Sequence, residues 1–293
     1  MSAPVSRFHA GERAIQQRAG FGNAVDVLGS RFICDALPVP HQTFFAQLPW
    51  VLVGVLDAQG RPRAGALAGP PGFVSAVDDT HLDIRIGAVL GAGVADGLAA
   101  GAPLGVLGLE AHTRRRNRVN GEIVEAAGDG LRVRVSQSFG NCPKYIHPRR
   151  AEWAPGADQP CRHTGWDDAA RRIVAAADTF FIASAHPAAG DSRDATHGVD
   201  ISHRGGEAGF VTVAGETLSV PDYPGNRFFN TLGNLELNPW ASLLFIDFTT
   251  RETLQLAVRA RIEWHPVAAG CRLDFEVLGA ERSVGGLPLI WSG

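Results

Sequence analysis

The sequence predicts a mainly β chain with flanking helices, built as a β-barrel domain that occurs twice, and three observations predict it. Short apolar runs recur between turn-forming Gly, Pro, Asn and Asp, the second half repeats the first at a nearly constant shift, and a polar stretch separates the two. Gly-Pro-Pro-Gly-Phe-Val at 69–74 matches Gly-Glu-Ala-Gly-Phe-Val at 206–211, 137 positions on. His81-Leu82-Asp83-Ile84 resembles Thr217-Leu218-Ser219-Val220 at a shift of 136, and the alternating runs at Arg132 and Arg272 lie 140 apart.

Gly11–Arg18 is expected as a short polar helix, and Pro40–Leu48 as a second with Phe44, Phe45 and Leu48 on one side. Strands are expected at Trp50–Leu56, Pro62–Leu67, Gly72–Ala76, His81–Ile86, Leu104–Leu109 and Gly121–Glu125. Leu131–Gln137 alternates, with Leu131, Val133 and Val135 on one face and Arg132, Arg134 and Ser136 on the other, as a half-buried strand does. The run Arg149–Gly165 has neither period and reads as a connection, which divides the chain into 1–150 (helices and first barrel), 151–165 (linker) and 166–293 (second barrel). Thr164, three residues before Asp167, marks a helix start by a capping-box-like pattern, and that helix runs to about Ala177. A second series of strands follows at Thr179–Ala183, Val199–Ser202, Gly209–Val213, Thr217–Val220, Ala241–Phe248, Thr253–Glu263 and Arg272–Leu278.

The composition narrows the function classes. Apolar residues make up 45% and charged residues 19%, enough to bury a core and too little charge for a disordered chain. A net charge of −3 sets up no long-range attraction for nucleic acid or an anionic membrane, so neither is an expected partner. Cys34, Cys142, Cys161 and Cys271 lack metal or redox spacing and are expected as reduced thiols. Met1–Ala10 has no apolar core of a signal peptide, and the expected location is the cytoplasm. Walker A, H-E-x-x-H, G-x-S-x-G and strand-linked G-x-G-x-x-G patterns are all missing, which weakens hydrolase, zinc protease, esterase and dinucleotide-dehydrogenase readings.

Polar chemistry separates the halves. Between the fourth and fifth strands the first half has Gly87–Pro103, small and apolar, where the second has Pro221–Pro239 with Asp222, Tyr223, Asn226, Arg227, Asn230 and Thr231. Read as a helix over Asn226–Leu237 entered through Pro224-Gly225, this segment offers free N-terminal N–H groups and side-chain donors to a phosphate, or else it is a capped surface helix. In Ser202–Gly206, Gly205 and Gly206 let the backbone approach a flat ligand beside His203 and Arg204, or serve a hairpin turn. The loop after Gln137 offers Ser138, Asn141, Cys142 and Lys144; Cys142 is a nucleophile if its thiol pKa is lowered, and otherwise a small hydrophobe. Arg114, Arg115, Arg116 and Arg118 form the one dense basic cluster, which guards a sheet edge or reaches toward a ligand or the other half.

Together Ser202–Gly206 with Gly209-Phe210-Val211, Pro221–Pro239, Gln137–Ile146 and Thr113–Gly121 resemble the pyridoxamine 5′-phosphate oxidase-related FMN-binding proteins. The resemblance implies a split β-barrel that binds FMN noncovalently, commonly at an interface between two barrels, formed here within the chain as a pseudo-dimer or by a homodimer. It implies Asn226, Arg227, Asn230 and Thr231 at the phosphate and ribityl chain, and His203, Arg204, Gly205, Gly206, Asp222 and Tyr223 beside the ring. Gln137, Ser138, Asn141, Lys144, Arg114, Arg115, Arg116 and Arg118 are implied as neighbours across the interface. An FMN-dependent oxidoreductase acting on a small molecule or electron donor is the leading expectation, with His203 for proton handling because its ordinary pKa is near neutral. A noncatalytic flavin- or haem-binding or sensing protein is the alternative, and a deazaflavin reductase a third. The resemblance departs from pyridoxamine phosphate oxidase itself, a single shorter barrel.

Overall fold

The computed structural model of the chain describes residues 6–156, 160–265 and 270–293; residues 1–5 and part of the expected linker, 157–159, lie outside them. Three helices come first, α1 (Ala10–Arg18), α2 (Gly22–Phe32) and α3 (Val39–Ala46). The first barrel follows as β1 (Trp50–Leu56), β2 (Pro62–Ala68), β3 (Val74–Ala76), β4 (His81–Arg85), β5 (Ala88–Leu90), β6 (Pro103–Glu110), β7 (Arg115–Ala127) and β8 (Gly130–Gly140). After β9 (Arg150–Trp153) and β10 (Cys161–Thr164), α4 (Asp168–Ala176) leads into β11 (Thr179–Ala185), β12 (Val199–Gly205), β13 (Thr212–Ala214) and β14 (Thr217–Pro221). The chain ends with α5 (Asn230–Leu237), β15 (Trp240–Ile246), β16 (Thr253–Trp264), β17 (Cys271–Val284) and β18 (Leu289–Ser292).

The two large sheets run β3-β4-β8-β7-β6-β1-β2-β5 and β12-β11-β15-β16-β17-β14-β13. Reading the second backwards and matching β1 to β11 and β6 to β15 superimposes one order on the other, so the protein is a duplicated split β-barrel. Each barrel is preceded by a helix, α3 or α4, that packs on its strands.

Side-chain alternation explains how the barrels pair. In β1, Val51, Val53 and Val55 fill the first barrel's core, while Trp50 and Leu52 join Phe181, Ala183, Ile201 and Leu244 in a separate apolar layer between the barrels. In β11, Phe180 and Ile182 face the second core and Phe181 and Ala183 the shared layer. A strand buried on both faces reads as a continuous apolar run, which is why Trp50–Leu56 shows no period of two.

Several boundaries differ from the sequence reading for identifiable reasons. The expected linker carries structure at both ends: β9 pairs with β18, and β10 with β17. The helix start is Asp167, whose side chain accepts from Ala170 N, whereas Thr164 ends β10 and pairs with Glu281. α2 has no counterpart among the expected elements, since it opens on Gly22 and carries Gly29, both weak helix formers. α1 does not stay with the first barrel; it crosses α5 of the second so closely that a Cβ on Gly11 would come within 2.2 Å of Gly233 O. β7 begins at Arg115 rather than Gly121, because both faces of its first turns are polar and hid the alternation.

Candidate functional site

A cleft with about 880 Å³ of empty space, part of it open to solvent, lies between the barrels. From the second barrel it takes Ser202, His203, Arg204 and Gly205 at the end of β12, and Asp222, Tyr223, Asn226, Arg227, Asn230 and Thr231 around the start of α5. From the first it takes Arg116 and Arg118 on one face of β7, and Asn141, Cys142, Lys144 and Tyr145 after β8. Thirteen of the eighteen site residues expected from the sequence line this cleft, together with Ser202, Cys142 and Tyr145, and the fold places the other five elsewhere. Gln137 donates to Arg7 O, Ser138 hydrogen-bonds His41, Arg115 donates to Pro40 O, Gly206 O meets His147, and Arg114 takes a left-handed turn ahead of β7. Tyr145 was missed because nothing in its local sequence shows that the loop folds back onto β12.

The segment before α5 is a turn, not the first turns of a helix. Asn226 Oδ1 accepts from Phe228 N at 3.2 Å, and Arg227 and Phe229 take left-handed φ values of 67° and 62°. This local side-chain bond competes with helical pairing, and bulky residues hold positive φ only when their surroundings enforce it. Phe228 supplies part of that enforcement by packing on Phe8 and Phe139. The helix starts at Asn230, its N-cap Phe229 offers no side-chain acceptor, and its first internal bond is Gly233 N to Phe229 O. The N–H groups of Asn230, Thr231 and Leu232 thus have no partner among the described residues, and all three residues line the cleft. The Asn230 and Thr231 side chains are engaged elsewhere, by Glu12 and Ser202, so it is their backbone that remains available.

The close approach at the paired glycines is to the chain itself. A Cβ on Gly205 would lie 2.1 Å from Tyr145 O, and one on Gly206 would lie 2.7 Å from the Phe210 ring. Gly205 nevertheless lines the cleft, whereas Gly206 does not.

Positive charge dominates what is left. Arg118 pairs with Asp200 at 2.7 Å and Arg204 with Asp222, while Arg116, Lys144 and Arg227 have no carboxylate within 4.0 Å among the described residues. Arg118 Nε, Arg204 Nε and Asn141 Nδ2 are buried donors without a hydrogen-bond partner, and such groups are costly to leave unsatisfied. Arg116 Nη1 lies 2.9 Å from His203 Nδ1. A guanidinium can only donate, so Nδ1 carries the lone pair and the ring proton sits on Nε2. Burial, then the charges of Arg116 and Arg204, hold His203 well below its usual 6.5, and burial pulls Arg116 down to about 10. His203 is thus neutral near pH 7 and is a hydrogen-bonding group there, not a proton-donating imidazolium.

An anion entering this cleft opposes the charges that depress His203 and favours its protonated form. The His203 imidazole, followed by NMR, is expected to titrate at higher pH when a phosphate-bearing ligand is bound. An unmoved titration curve places the anion away from the Arg116–His203 pair.

The strand registers show that the duplicated counterpart of this site has no arginine at the positions matching Arg116, Arg118 and Arg204. Arg116 and Arg118 pair with Leu109 and Leu107, and at the matching positions Thr253 and Gln255 pair with Ile246 and Leu244. Ser202, His203 and Arg204 pair with Ile182, Phe181 and Phe180, and their matches are Gly65, Ala66 and Leu67, paired with Val53, Leu52 and Val51. The counterpart cleft, lined by Thr253 and Gln255, is smaller at about 500 Å³ of empty space, and Gln255 Nε2 donates to Ala64 O.

Among the described residues no three His, Cys, Asp or Glu side chains are placed to hold a metal ion, and no helix is long and apolar enough to cross a membrane. No family model matches the chain, and no curated protein matches it. Solved structures do. A FAD-binding protein of Mesorhizobium loti is 10% identical over 42% of this chain and 98% of its own, with a TM-score of 0.29. A general stress protein 26-related protein of the pyridoxine phosphate oxidase family from Clostridium acetobutylicum is 13% identical over 42% of this chain and 91% of its own, with a TM-score of 0.28. The haem storage protein HutZ of Vibrio cholerae is 12% identical over 41% of this chain and 94% of its own, with a TM-score of 0.27. The split-barrel assignment rests on the matching strand orders of the two halves, and these likenesses stand beside it.

Proposed function

We propose that the protein is a flavoprotein of the pyridoxamine 5′-phosphate oxidase-related kind that binds one FMN per chain, and that it acts as an oxidoreductase on a small molecule or electron donor. The observation that carries this reading is the uncapped start of α5, opening into a cleft with Arg116, Lys144 and Arg227 unneutralised. Free helical N–H groups and arginines are the donor set that a phosphate monoester requires. The residues present fit the group: Arg227 and the backbone of Asn230 to Leu232 would hold the phosphate, and the ring would lie nearer His203, Arg116 and the tyrosines. Bound flavin supplies hydride or single-electron transfer, and the protein's part is to orient it, shield it and set its electrostatic surroundings. The pairing of barrels within one chain supplies the two-sided cleft, and a counterpart without the matching arginines accounts for a single site.

A noncatalytic flavin- or haem-binding protein is the second reading, favoured by a His203 held neutral and tied to Arg116. Titrating the purified chain with FMN is expected to give one tight site, and steady oxidation of NAD(P)H under air separates the enzyme from the binder. A chain that leaves FMN absorbance and fluorescence unchanged is not a flavoprotein, and two equal sites per chain contradict the role given to the charge asymmetry.

A further inference from the structure

The chain has two tyrosines, and they meet at the rim of the cleft. Tyr145 comes from the loop after β8 and Tyr223 from the loop after β14, so the contact spans the two barrels. Their ring centroids are 5.0 Å apart and their planes 22° from parallel. They remain 39% and 36% exposed. Tyr145 is held at a left-handed φ of 62°, with its carbonyl packed against Gly205. A bulky residue in that conformation is costly unless its position has a use or strong support.

The other aromatic carbon rings lining the cleft, Phe210 and Phe229, are already stacked on Phe180 and Phe21, and Arg116, Arg118 and Arg204 line it as charged groups. We propose that Tyr145 and Tyr223 are the platform that recognises the planar part of the ligand, the incoming ring exchanging tyrosine–tyrosine stacking for tyrosine–ring stacking while Arg227 and the free N–H groups of α5 hold the phosphorylated tail. The proposal rests on the FMN reading and deepens it: selectivity for an aromatic ring lies in the tyrosines, and selectivity for an anion in the arginines. Exposed rings held by mutual stacking exchange readily for a larger π surface, since offset stacking is sequence-tolerant and individually weak.

The test uses the full chain with FMN, riboflavin and inorganic phosphate as probes, and the variants Tyr145→Ala, Tyr223→Ala and the corresponding Phe substitutions. Each Ala variant is expected to bind FMN and riboflavin about tenfold more weakly, while phosphate, measured by its competition with FMN, binds as before. The Phe variants are expected to keep the affinity but to relieve the quenching of flavin fluorescence, because phenylalanine stacks without the electron-rich phenol. Ala variants that bind FMN as tightly as the unaltered chain overturn the proposal. Phosphate binding without flavin binding by the unaltered chain also overturns it and leaves the anion site standing, whereas binding of neither removes the FMN reading with it.

Discussion

Replacing Arg118 by methionine is expected to lower the free energy of unfolding by about 3 kcal/mol, the size typical of removing one partner from a buried ion pair. Arg118 is 2% exposed and Asp200 6%. The guanidinium links β7 of one barrel to Asp200 and Ser202 on β12 of the other, with 2.7 Å to Asp200 Oδ1. Methionine preserves much of the apolar stem but leaves the carboxylate with only the amides of Asn120 and Asn234. Because the damage is an uncompensated buried charge, Arg118→Met combined with Asp200→Asn is expected to regain most of the loss. Urea unfolding of the single and double variants measures both. A single-variant loss below about 1 kcal/mol, in the range of an exposed pair, shows that the two asparagines suffice for Asp200.

Arg227→Ala is expected to weaken FMN binding by about 10- to 100-fold, the value of one charge-assisted phosphate contact. Arg227 has no carboxylate partner among the described residues, and its guanidinium lies 4.0 Å from the centroid of the Phe21 ring, which orients it without neutralising it. Arg227→Lys is expected to recover part of the loss, since it keeps the charge and gives up the planar fork. The deficit is expected to shrink as salt is raised, as an interaction with a partly exposed anion must. Calorimetric titration at two ionic strengths measures these effects. An affinity that does not change removes Arg227 from the site and moves the phosphate toward Arg116 and Lys144.

Much of the barrel was legible in the residues. Trp50–Leu56 and Pro62–Ala68 carry enough apolar and β-branched side chains, bounded by Asp57-Ala-Gln-Gly60, for their ends to be read within a residue. Leu131–Gln137 showed its period because one face is buried and the other wet. The start of β7 did not, since Arg115 to Arg118 is polar throughout and Asn117 to Asn120 are buried on both faces, so no apolar alternation marks the strand. The turn at Asn226–Phe229 was hidden for a different reason. Its residues tolerate a helix, and only the packing of Phe228 on Phe8 and Phe139 and the Asn226 bond hold the left-handed backbone. The glycines of β12 were correctly seen as marking a close approach, but what approaches is Tyr145, 60 positions earlier in the chain.

The residues alone determined that there are two β repeats and that only the second has a polar segment between its fourth and fifth strands, because apolar period, turn residues and charge are local properties that survive without coordinates. The tertiary structure decided that the cleft is completed by the first repeat, that Arg116 ties down His203, and that the two tyrosines meet. Those contacts join positions about a hundred residues or fewer apart in sequence, such as the 87 that separate Arg116 from His203. They exist because Trp50, Leu52, Phe181 and Leu244 bury one apolar layer between the barrels, and no local pattern records which faces that layer brings together.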